Sequence, residues 1–64
     1  MKKSIGKYVT QITSRDGDMI TFRIFQNDRC IMSEVHMFAT EYNALTEESL
    51  FDRMNDEMIN RGDI

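Results

Sequence analysis

Cysteine occurs once in the 64 residues, at Cys30, and no run of the chain approaches the ~20 apolar residues that cross a bilayer. The first scarcity excludes an intrachain disulfide and suits a reducing compartment. The second excludes a membrane-spanning helix. The start, MKKSIGKYVTQ, opens with Lys2 and Lys3 but has no apolar segment behind them. It does not read as a secretory signal, and the expected location is the cytoplasm.

The vocabulary of catalysis is equally sparse. There is no phosphate-binding loop, no zinc-ligand spacing and no Gly-rich dinucleotide turn. Asp16 and Asp18 lack the later ligands and the bidentate Glu of a calcium loop. Cys30 and His36, placed on one strand, lie roughly 20 Å apart at ~3.3 Å per residue, too far for a nucleophile and its base. No catalytic residue, metal or cofactor is expected. The tripeptide Arg61-Gly62-Asp63 reads as chance, because Gly62 is placed to end a helix.

What remains is a globular composition, 41% hydrophobic and 30% charged, without repeat, linker or low-complexity tract. Residues 1–64 form one small domain. A chain of this length buries only about 60% of the surface its unfolded form exposes, so its stability is expected to be thin.

The clearest local pattern is Ile20, Phe22 and Ile24 alternating with Thr21 and Arg23, the period of a half-buried strand. Upstream, Tyr8, Thr10 and Ile12 alternate in the same way. A three-residue loop, Arg15-Asp16-Gly17, sets Ile12 opposite Ile20 and Tyr8 opposite Ile24, with Gly17 at the position that needs a left-handed backbone. A two-residue turn at Asn27-Asp28 then leads into a third strand, RCIMSEVHMF, opposing Ile24 with Ile31 and Ile20 with Val35. One face of this meander carries Tyr8, Ile12, Ile20, Phe22, Ile24, Ile31 and Val35. The other carries Thr21, Arg23, Phe25, Cys30, Met32 and Glu34.

The last third reads as a helix. Thr46 is a suitable N-cap, Glu47 and Glu48 suit the first turn, and Leu50, Phe51, Met54 and Met58 form an apolar stripe. The expected fold is α+β: a three-stranded antiparallel β-meander with a C-terminal amphipathic helix packed on one face. The alternative is a β-hairpin plus two helices, since Val35, Phe38, Ala39, Tyr42 and Leu45 also fit a helical spacing with Ser33 as N-cap.

Charge is unevenly spread. From Met1 to Cys30 six Lys or Arg stand against three Asp; from Ile31 to Ile64 two Arg stand against eight acids, which gives the net −3 of the chain. The acids Glu41, Glu47, Glu48, Asp52, Asp56, Glu57 and Asp63 suit the solvated face of a helix and its flanks. They also suit contact with a basic partner, or imitation of nucleic-acid phosphates. Direct nucleic-acid binding, through Lys2, Lys3, Lys7, Arg15, Arg23 and Arg29, fits less well with a pI of about 4.9.

The expectation is therefore a non-enzymatic protein-binding module, an inhibitor or accessory protein of a bacterial or phage cytoplasm. Its partner-binding residues are Glu47, Glu48, Asp52, Asp56 and Glu57 on the helix, with Phe25, Met32 and Arg23 on the open sheet face. The other expectations are a nucleic-acid-binding protein using the basic strands and a self-assembling subunit, with a homodimer formed through the open sheet face or an edge strand. No motif set allows residues to be carried over from a known family, and fold alone does not supply function.

Overall fold

The computed structural model describes residues 2–60. Its four strands are β1 (Lys2–Ile5), β2 (Tyr8–Asp16), β3 (Met19–Gln26) and β4 (Arg29–Phe38), followed by α1 (Ala39–Asn43) and α2 (Glu47–Asn60). The strands pair antiparallel in chain order, β1-β2-β3-β4. The class is α+β as expected, with a fourth strand and a short extra helix. The expected helix end at Gly62, and Asp63 of the acidic set, lie outside the described residues.

Each tight turn is set by its residues. Asn27 and Asp28 both adopt positive φ, 54° and 64°, the requirement of a type I′ hairpin, and this two-residue turn is the one expected. At the β2–β3 turn Gly17 has φ 63°, left-handed as expected, but the loop is Gly17-Asp18, with Asp16 paired to Met19. A glycine at the first of two central positions suits a type II′ turn and serves it as well as it would have ended a three-residue loop. Gly6, φ 59°, turns β1 into β2.

The different loop changes the register. Ile12 faces Phe22 and Thr10 faces Ile24, in place of the Ile12–Ile20 and Tyr8–Ile24 pairs. Thr13 is bulged out between the Ile12–Phe22 and Ser14–Thr21 pairs. On β4 the expected pairing holds only next to the turn, at Gln26–Arg29 and Phe25–Cys30. Two further irregularities then place Ile24 opposite Met32, Phe22 opposite Val35 and Ile20 opposite Met37. Each extra residue on β4 reverses which face the following side chains take. Ile31 is accordingly exposed, and Met32 is buried at 6% exposure, the reverse of the expected assignment.

Tyr8, Ile20, Phe22, Ile24, Met32, Val35 and Met37 line the inner sheet face together with Ile5 of β1. Tyr42 of α1 and Leu50 and Met54 of α2 cover it, with Met58 packed at the margin. The Tyr42 ring stands edge-on to Phe22 at 5.0 Å. Phe51 lies about 100° around the helix from Leu50 and is 49% exposed, so it does not belong to the buried stripe.

Polar groups fix the helices in place. Thr46 caps α2 reciprocally with Ser49: Ser49 N–H donates to Thr46 Oγ1 at 3.1 Å and Thr46 N–H donates to Ser49 Oγ at 2.8 Å. Lys7 N–H donates to the Glu47 carboxylate at 2.7 Å, fastening the β1–β2 turn to the start of α2. Arg53 holds Glu41 of α1 at 2.8 Å through Nη1, Glu57 at 3.4 Å through Nε, and donates from Nη2 to the His36 carbonyl of β4.

Candidate functional site

The residues expected to meet a partner divide between the outward side of α2 and the uncovered face of the sheet. Of the five helical acids, two are engaged within the fold. Glu47 accepts from Lys7 N–H, and Glu57 is paired with Arg53. Glu48, Asp52 and Asp56 recur every four residues along the exposed side of α2 and have no hydrogen-bond or ionic partner among the described residues. Ile59, 60% exposed, lies on the same side of the helix as this row, and Phe51, 49% exposed, lies between the row and the buried stripe. Neither was among the expected contact residues. Ile59 carries a signal in the sequence, since it falls opposite Leu50 and Met54 on a helical wheel.

The open sheet face keeps part of its expected set. Arg23 is exposed and paired across the ladder with Gln11; Phe25 is half-buried between Val9 and Cys30. Met32 is removed from it. Its side chain lies in the core under the helices, where no partner reaches it without unfolding, because the Ile31 irregularity turned it inward. At the other end of the same face Met19 and Phe38 form a cross-strand pair, 37% and 56% exposed.

His36 shares this face, and its two ring nitrogens have separate partners. Nε2 lies 2.9 Å from Glu34 Oε1 and Nδ1 lies 2.8 Å from Thr21 Oγ1. An ionised carboxylate only accepts, so Nε2 carries the proton, and in the neutral ring Nδ1 accepts from the threonine hydroxyl. The Cys30 thiol donates to the Met32 carbonyl at 3.6 Å. Cysteine and histidine are thus occupied by different neighbours. Among the described residues no three His, Cys, Asp or Glu side chains are grouped as metal ligands, and no helix is long and apolar enough to cross a membrane.

No family model, curated protein or solved structure matches the chain.

Proposed function

We propose that this protein is a non-enzymatic binding module that occupies a basic surface of a partner protein through the outward side of α2, acting as an inhibitor or accessory factor. The observation that carries the reading is the row Glu48, Asp52, Asp56, without internal partners among the described residues, flanked by exposed Phe51 and Ile59. Carboxylates one turn apart, about 6 Å of rise, form a line of negative charge of the kind a nucleic-acid-binding surface takes up in place of backbone phosphates. Charge complementarity sets encounter rate and specificity. The two apolar side chains supply the desolvated anchors from which affinity comes.

The test is affinity capture from a bacterial cytoplasm with the wild-type protein and with the doubly reversed Asp52→Lys/Asp56→Lys protein in parallel. A protein retained by the wild type, released by added salt and lost with the reversed helix supports the reading. Recovery of the same proteins by both sinks it.

Self-association through the open sheet face is the second reading, favoured by the exposed Met19–Phe38 pair at one end of that face and Phe25 at the other. Light scattering that finds a monomer at high micromolar concentration removes it.

A further inference from the structure

We propose that the cleft between the β1–β2 edge and α1 binds a small amphipathic carboxylate, its hydrocarbon or aryl tail on an apolar floor and its anionic head between Lys3 and Arg15. The site is separate from the outward side of α2 and does not depend on the reading given above. The cleft measures about 300 Å³, the low end of the range for small-molecule sites. Ile12, Ile20 and the Tyr42 ring supply its apolar lining. All of its charged lining residues are cationic.

The backbone explains how these groups come together. Directly opposed residues of an antiparallel pair share a face, so Arg15, paired with Ile20, projects on the helix-covered side of the sheet. Strict alternation from Ile12 would have put Ser14 there and Arg15 on the far side. The bulge at Thr13 reverses the order and re-aims the guanidinium. From β1, Lys3 is paired with Thr10 and reaches the same side, its Nζ 5.2 Å from the Tyr42 ring centroid. Arg15 Nε donates to the Gly17 carbonyl at 2.9 Å, which holds its stem while leaving the Nη groups to a ligand. The acid of α1, Glu41, does not neutralise the cleft, because Arg53 has taken it.

Cations converging over aliphatic and aromatic surface fit an anion with an apolar tail. Inorganic phosphate gains nothing from the floor, and an alcohol gains nothing from the rim.

The test is an NMR titration of the intact protein with octanoate, set against octylamine, octanol and inorganic phosphate. Octanoate is expected to shift the Ile12 and Ile20 methyl signals saturably, and to bind at least about tenfold more tightly than each of the other three, the charge dependence following from direct contact between head group and cations. Arg15→Glu and Lys3→Glu are each expected to weaken octanoate by about tenfold with the fold retained. The inference is overturned if the shifts map elsewhere or are absent, if any comparison compound binds as well as octanoate, or if both charge-reversed proteins bind it like the wild type. Should one variant unfold, the other decides the outcome.

Discussion

The Tyr42 hydroxyl lies 2.6 Å from Thr10 Oγ1 inside the core, and Thr10 Oγ1 lies 3.2 Å from the Lys3 carbonyl. A carbonyl only accepts, so the threonine proton goes to Lys3 and the tyrosine donates to Thr10, a directed chain from α1 through β2 to β1. Thr10 is the one buried polar residue among the described residues. Thr10→Val strands the buried phenol and is expected to cost about 1–3 kcal/mol, whereas Tyr42→Phe costs about 0.5–1.5 kcal/mol. The double variant is expected to lose less than the sum of the two. Strict additivity in urea denaturation would show that the chain contributes nothing of its own.

Gly6 and Gly17 have similar backbones and different surroundings. A Cβ on Gly17 meets open space, but one on Gly6 collides with the Glu47 carboxylate. Gly17→Ala is expected to cost about 1–3 kcal/mol, the strain of an alanine held at positive φ. Gly6→Ala should cost more, and placing both substitutions in a Glu47→Gly background, which removes the Glu47 Cβ as well as the carboxylate, should narrow the difference. Equal midpoints for the two single variants would argue that the turn does not rest on the helix.

Arg53 uses three nitrogens on three acceptors, and its side chain is 29% exposed. Arg53→Ala is expected to destabilise by about 1 kcal/mol, the scale of a partly exposed ionic network. Lysine carries the charge but not the planar fork, so Arg53→Lys should restore less than half of the loss. Full restoration in chemical denaturation would reduce the role of Arg53 to charge.

At the start of α2, Thr46→Ala removes an N-cap and is expected to cost about 1 kcal/mol, while Thr46→Asn, which keeps an acceptor, costs little. Circular dichroism during thermal unfolding distinguishes them.

For the outward acids the prediction runs against intuition. Asp52→Asn removes two like-charge contacts at i,i+4, with Glu48 and with Asp56, and is expected to stabilise the helix by about 0.2–0.5 kcal/mol per pair. The same substitution should weaken partner capture. A variant that is more stable and still captures a partner fully would assign these carboxylates to solubility alone.

The parts legible in the sequence were those with an uninterrupted period or a specific turn residue. The alternation of Ile20, Phe22 and Ile24, the Asn27-Asp28 turn, the span Arg29–Phe38 and the Thr46 cap all lie where the pattern places them. β1 escaped notice because only Ile5 of its four residues is buried, too little for a period to register. The inserted residues of β2 and β4 were invisible for a different reason. A bulge bears no side-chain signature, yet one extra residue exchanges the faces of everything beyond it, which is why Ile31 and Met32 changed places. Of the expected contact residues, Glu48, Asp52, Asp56, Phe25 and Arg23 remain at least partly accessible, while Met32 went inward and Glu47 and Glu57 bind within the fold. The bond that claims Glu47 joins residues 40 positions apart, and no local pattern announces it.

The two irregularities of β4 also govern what the border of the sheet offers its surroundings. A visiting strand must find amides and carbonyls in even step, but here the rhythm breaks between Cys30 and Met32 and again between Met32 and Val35. No straight run there is long enough to seed a growing ladder, so this ten-residue margin is poorly suited to templating fibrils.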